Sequence, residues 1–267
     1  MATIIGKKGL PIHVYDPNSS GKQTIVFLHG WPLCSGMFEY QFQLLRDCRC
    51  IGLDLRGFGG SAAPAGPYDY DSFADDLAAV VRQMNLRRFT LVGFSMGGAV
   101  ALRYMGRYGG NGVEKLVLLA AAAPVFTKRL DFPYGMSIQQ VDDLIIRGCQ
   151  NRPQMLQDFG KQFFGLEPGE AFRAWFSRMC LAQSYYGTIQ SLYALRDEDL
   201  REDIAKVRVP TGIFHGRKDR ICPFELGVEL NKGIDGSTLF AFRDSGHAIF
   251  YDELERFHVA FKGFLGY

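Results

Sequence analysis

The stretch Arg88-Phe89-Thr90-Leu91-Val92-Gly93-Phe94-Ser95-Met96-Gly97-Gly98-Ala99-Val100-Ala101-Leu102 decides how this chain is read. Arg88 to Val92 is apolar without alternation, as a strand covered on both faces requires. Ala99 to Tyr108 carries a helical pattern that Gly109-Gly110 stops. Between them, Gly93 to Gly97 fits G-x-S-x-G. A strand that turns sharply into a helix leaves its serine at the apex, in strained backbone. The two glycines remove side chains that would clash in so tight a turn. The helix start also points N–H groups at the place where an anion can develop. The short pattern alone would arise by chance roughly 0.15 times in such a composition. The strand before it and the helix after it make it informative, since a plain glycine-rich turn asks for neither.

Outward from this turn the alternation continues. Gln23 to Leu28 reads as a strand ending at His29-Gly30, Arg49 to Leu53 as one ending at Asp54, and Glu114 to Leu119 as another. Asp71 to Asn85 places Phe73, Leu77, Val80, Val81 and Met84 at helical spacing, with Asp71 or Ser72 as its cap. This order predicts an α/β fold with a mostly parallel sheet. From Ala123 to Leu200 no strand-like run occurs; the segment is rich in Phe, Tyr, Trp and Met, and Pro133, Pro153 and Pro168 divide it into short helices. Strand signals resume at Thr211 to Phe214 and Ser237 to Phe242, and a helix closes the chain from Asp252 to Phe264. The expected organisation is one core built from 1–122 and 201–267, with a helical cap inserted at 123–200. Such an insertion far exceeds an ordinary connection.

Composition excludes several classes of function. The 267 residues carry 30 basic and 28 acidic side chains, a net charge of +2, which gives no reason to expect nucleic acid or an anionic membrane as partner. No apolar run approaches transmembrane length, and Met1 to Leu10 lacks a signal-peptide core. Cys34, Cys48, Cys50, Cys149, Cys180 and Cys222 form no C-x-x-C pair and no metal spacing. They read as reduced, mostly structural thiols of a cytoplasmic protein. No motif calls for a metal or an organic cofactor.

A serine nucleophile needs a base, and the base an orienting acid. Of the five histidines, His13 and His258 read as packing or surface residues and His215 as a structural residue of a buried strand. His247, in the loop Asp244-Ser245-Gly246-His247-Ala248, comes last in the chain order Ser, Asp, His; His29 does not. Asp219 follows a strand and precedes His247, and is the expected acid. Asp244 is the weaker alternative, because only two residues separate it from His247. The oxyanion donors are expected to be the backbone N–H of Met96 and that of Trp31, since the neighbouring Pro32 has none.

His29-Gly30-Trp31-Pro32, Asp54 to Ser61, Gly93 to Gly98, His215-Gly216-x-x-Asp219 and Gly246-His247 together resemble the α/β-hydrolase superfamily. The likeness spans Gln23 to Phe264. Within the superfamily it is most similar to small bacterial esterases that include the cofactor-free haloperoxidases, or perhydrolases. The resemblance implies an eight-stranded, mostly parallel sheet with a helical cap after the sixth strand. It makes Asp54 to Ser61 a structural turn. It also implies that Trp31-Pro32 accompanies perhydrolysis, in which hydrogen peroxide replaces water and yields a peracid. Serine at 95 speaks against the dehalogenases and epoxide hydrolases of the superfamily, which use aspartate there.

The expected activity is hydrolysis of a small or medium carboxylic ester through an acyl-enzyme on Ser95. Lactonase, thioesterase, amidase and carbon–carbon hydrolase activities share the same triad and stay open, as does a small-molecule receptor on the same fold. The apolar cap points to a hydrophobic acyl or aryl substrate, with Trp31, Phe126, Tyr134 and Trp175 as candidate pocket residues. Each of these aromatics could equally pack cap helices on the core. Aromatics exposed on the cap could form a homo-oligomer interface.

Overall fold

The computed structural model describes residues 2–267; Met1, the first residue of the expected core segment, lies outside the described residues. In chain order the first half runs β1 (Ala2–Ile5), β2 (Pro11–Tyr15), β3 (Thr24–Leu28), α1 (Glu39–Leu44), β4 (Arg49–Leu53), α2 (Tyr70–Gln83), β5 (Phe89–Phe94), α3 (Met96–Tyr108) and β6 (Val113–Leu119). Four helices follow: α4 (Ile138–Gly160), α5 (Glu170–Leu181), α6 (Tyr185–Asp197) and α7 (Arg201–Ile204). The chain closes with β7 (Thr211–Gly216), α8 (Phe224–Gly233), β8 (Thr238–Phe242), α9 (Ile249–Asp252) and α10 (Leu254–Leu265).

Among the described residues the strands form one eight-stranded sheet in the order β1-β2-β4-β3-β5-β6-β7-β8. β1 and β2 pair antiparallel, as do β2 and β4; every other pairing is parallel. The runs without alternation are the central strands. All six residues of β5 are buried, as are those of β7, because helices cover both faces. The alternating β2 and the short β1 occupy the edge. Aromatic packing ties the last helix to the sheet: Phe257 and Phe261 of α10 meet Phe214 of β7 at 5.7 and 6.1 Å.

Two local expectations are corrected. The cap of α2 is Asp69, whose side chain accepts the Ser72 N–H at 2.6 Å, instead of Asp71 or Ser72. Pro153 does not end its helix. It kinks α4, with Asn151 leaving helical geometry at φ −152° and ψ 77°. Asn151 Oδ1 then accepts the Gln154 N–H and caps the second half, so the lost backbone bond is replaced locally. Among the described residues no helix is long and apolar enough to cross a membrane.

Candidate active site

Ser95 sits between β5 and α3 at φ 52° and ψ −119°, a conformation in which a side chain is strained. Backbone bonds on both sides hold it there. Its N–H donates to Leu119 O at 2.9 Å, and its carbonyl accepts from Ala122 at 3.0 Å and from Gly98 at 2.9 Å. The turn is thereby fastened to the end of β6.

The loop after β3 approaches this turn so closely that only glycine fits at two places. A Cβ on Gly30 would lie 2.9 Å from Ser95 Cβ, and a Cβ on Gly97 would lie 2.3 Å from Leu28 O. The N–H groups of Trp31 and Met96 donate to no acceptor among the described residues, and Met96 opens α3. Both are therefore free to receive a developing negative charge. His29 steadies the loop from the core side. Its Nδ1 pairs with Gly30 O at 2.9 Å and its Nε2 with Leu55 N–H at 3.0 Å. This pattern assigns the proton to Nδ1. Burial lowers the His29 pKa, so the ring stays neutral in this role.

Asp219 Oδ2 lies 2.7 Å from His247 Nδ1, and Oδ1 accepts the N–H groups of Ile221 and Cys222 at 2.9 and 2.8 Å. His247 thus donates from Nδ1 and keeps its lone pair on Nε2. That atom is buried and has no hydrogen-bond partner among the described residues. The imidazole is packed between Phe94, the neighbour of Ser95, at 4.8 Å and Phe163 at 5.0 Å. The main chain at His247 and Ala248 also donates to Phe163 O, at 3.0 and 3.1 Å. Asp244, the alternative acid, is half-exposed and pairs with Lys218 at 2.8 Å instead.

His215 stands on the far side of Asp219. Its Nε2 lies 3.6 Å from Oδ2 and 2.7 Å from Cys222 O, and burial lowers its pKa. Burial, reinforced by the Asp219 charge, pushes the Cys222 thiol well above its usual range. Burial lifts Cys34 to about 11. Neither cysteine is a rival nucleophile at neutral pH. Asp54 accepts from Ser35 N–H at 2.7 Å, Gly60 N–H at 2.9 Å and His13 at 2.9 Å, which commits that turn to structure.

A narrow apolar cavity of about 10 Å³ touches Ser95. Trp31, Phe126, Phe159 and Ile221 surround it, with Leu144, Leu192 and Leu195. Of the four expected pocket aromatics, Trp31 and Phe126 line this cavity. Tyr134 is elsewhere, packed on Phe132 at 5.4 Å, and Trp175 packs on Phe172 and Tyr251 at 5.0 and 6.0 Å. Aromatic identity does not say which way a cap residue faces. A larger groove of about 290 Å³, between α4 and α5, includes neither Ser95 nor His247.

The fold that carries this strained serine and this Asp–His pair is shared with known proteins. The sequence profile of the α/β hydrolase fold covers residues 23–254. The chain belongs to that family. It is 53% identical to the AB hydrolase superfamily protein YisY of Bacillus subtilis (strain 168), over 88% of each chain. It is 46% identical to the esterase EaEST of Exiguobacterium antarcticum, at a TM-score of 0.96 over 100% of this chain and 99% of the other. A bromoperoxidase of Bacillus anthracis is 32% identical at a TM-score of 0.93, with 100% and 99% covered.

In this α/β hydrolase two supports of the site carried no signal in the sequence. Asp252 accepts three N–H groups, from Gly246 at 2.7 Å, Gly165 at 2.8 Å and Leu166 at 3.2 Å, and so joins the His247 loop to the segment leaving α4. The Trp31 indole N–H donates to Thr188 O at 2.8 Å, 157 residues away. Partners this remote have no local pattern from which to be read.

Proposed function

We propose that this chain is a serine esterase with Ser95 as nucleophile, His247 as base and Asp219 as the acid that orients it. The observation that carries the reading is the buried pair at 2.7 Å, which leaves an unpartnered Nε2 lone pair on a ring packed against Phe94, the residue before the strained Ser95. Ser95 Oγ attacks the ester carbonyl while His247 Nε2 takes its proton. The carbonyl oxygen becomes an oxyanion received by the N–H groups of Trp31 and Met96. As the tetrahedral intermediate collapses, the alcohol leaves with the proton from His247 and the acyl group stays on Ser95. Water then gives its proton to His247 and attacks the acyl carbon, and the proton returns to Ser95. Asp219 holds the tautomer throughout and stabilises the imidazolium.

The segment 123–200 is read as the cap, and 1–122 with 201–267 as the core that carries the triad. The apolar lining beside Ser95 favours an uncharged acyl group. A second reading, peracid formation from hydrogen peroxide in place of water, draws on Trp31-Pro32 and on the likeness to a bromoperoxidase. The test is turnover of p-nitrophenyl acetate and butyrate by wild type and Ser95→Ala, with peracid release measured alongside. Wild-type turnover lost in the variant is the expected result. No turnover, or a rate indifferent to Ser95, removes the reading.

A further inference from the structure

The oxyanion loop is held from two directions, and the second comes from the helical segment between β6 and β7. The indole of Trp31 is buried, its ring edge set against Phe159 of α4 at 4.8 Å and 81°. Its N–H reaches the carbonyl of Thr188 in α6 at 2.8 Å. A helical carbonyl has a second lone pair to offer beyond its bond within the helix.

α6 is itself seated rigidly at this point. Ser184 Oγ donates to Gly57 O at 2.7 Å. Gly187 lies so near Gly57 that a Cβ on it would stand 2.4 Å from Gly57 O. Gln183 Oε1, just before the helix, accepts the Gly59 N–H at 2.7 Å. The carbonyl that receives the indole is therefore fixed relative to the core. The ring it holds belongs to the residue whose own backbone N–H faces the reaction.

We infer that the Trp31 indole–Thr188 carbonyl bond is a positioning device for the oxyanion hole, so that α6 takes part in catalysis without touching substrate. The inference rests on the serine-esterase reading, in which the Trp31 N–H is an oxyanion donor. Trp31 is fastened at one end by the His29–Gly30 contact and at the other by Thr188. Releasing the outer end lets the peptide rotate, and a donor must lie within a few tenths of an ångström of the oxyanion to act. Ground-state binding of the ester depends on the apolar pocket and is left alone.

The experiment replaces Trp31 with 3-benzothienylalanine, which keeps the bicyclic shape and exchanges N–H for sulfur. Gly187→Ala accompanies it, pushing α6 off Gly57 without altering Trp31. Rates are expressed per active site titrated with an organophosphate, so misfolded enzyme does not count. The expected result is a fall in kcat of about tenfold, a fraction of the 10²- to 10³-fold that follows loss of an oxyanion donor, with KM changed less than twofold. The inhibition constant of a trifluoromethyl ketone, whose hemiketal places an oxyanion in the hole, rises by the same factor. A purely structural tie would lower Tm and leave both constants at wild-type values, and that outcome overturns the inference. A wild-type enzyme that neither turns over esters nor reacts with the organophosphate overturns the esterase reading itself, and this inference with it.

Discussion

His247 and Asp219 meet at 2.7 Å through Nδ1 and Oδ2, while Oδ1 is committed to two backbone N–H groups. The division of labour fixes what Asp219→Asn does. The amide oxygen remains on the Ile221 and Cys222 N–H groups, so the loop keeps its shape. The amide nitrogen then faces His247 and donates to Nδ1, which moves the imidazole proton to Nε2. A histidine protonated there cannot take the Ser95 proton. Ester turnover should fall about 10³- to 10⁴-fold with circular dichroism unchanged. A rate within tenfold of wild type would move the acid role away from Asp219.

The strain at Ser95 makes a prediction about stability that is separate from activity. Both Ser95→Ala and Ser95→Gly lack the hydroxyl and should be inactive. In ordinary backbone alanine is the more stable of the two by about 0.5–1 kcal/mol. At φ 52° and ψ −119° a Cβ is strained, by about 1–3 kcal/mol, and glycine is not. The order should invert, with Ser95→Gly melting above Ser95→Ala in a thermal scan. Alanine melting higher would mean that the turn carries no such strain.

The strand–helix turn at Ser95 and the central strands are legible because each depends on neighbours in sequence. The bounds of Arg49–Leu53 are legible because a buried run opens on a polar Arg49 and stops before Asp54. The cap of α2 was misread because Asp69, Asp71 and Ser72 all have capping chemistry, and only the path of the chain chooses among them. Tyr134 and Trp175 pack away from the cavity at Ser95 for a related reason. A burial-prone aromatic reports that it packs, and α5 turns Trp175 toward Tyr251 instead of Ser95. Trp31–Thr188 and the Asp252 contacts are tertiary relations, and no spacing in the chain encodes them.

Glu198, at the end of α6, gives the protein a pH-dependent stability. Its carboxylate accepts the Tyr70 N–H and an Arg103 N–H, while Asp69 and Asp71 stand nearby. Burial pushes its pKa up to about 7, against the pull of Tyr70 and Arg103. A raised carboxyl pKa means that the folded state favours the neutral acid. The favourable contribution is complete below the ordinary value of about 4.3 and is lost as pH rises towards 7. Glu198→Gln does not titrate. The Tm of the variant minus that of wild type should therefore climb between pH 4.5 and 7.5 and level off above it. A difference that stays flat over that range would show that Glu198 titrates normally.

The cavity beside Ser95 ends on leucines, and under the proposed esterase reading they would limit the acyl chain. Leu144, Leu192 and Leu195 are buried and line it with Phe126 and Ile221, and no charged side chain is among the lining residues. Leu144→Ala and Leu195→Ala remove three carbons each at positions that border the empty space. A longer acyl chain can refill that volume, recovering transfer free energy of about 0.8 kcal/mol per methylene. Acetyl esters gain nothing and meet a looser wall. The ratio of kcat/KM for butyrate over acetate should rise about tenfold or more in each variant. Each truncation should also lower stability by about 2–5 kcal/mol, so the ratio is the informative quantity and not the absolute rate. Phe164→Ala, in the separate groove between α4 and α5, trims an apolar side chain without bordering Ser95 and serves as the control. An unchanged ratio in both leucine variants, or an equal rise in Phe164→Ala, would place the acyl group outside this cavity.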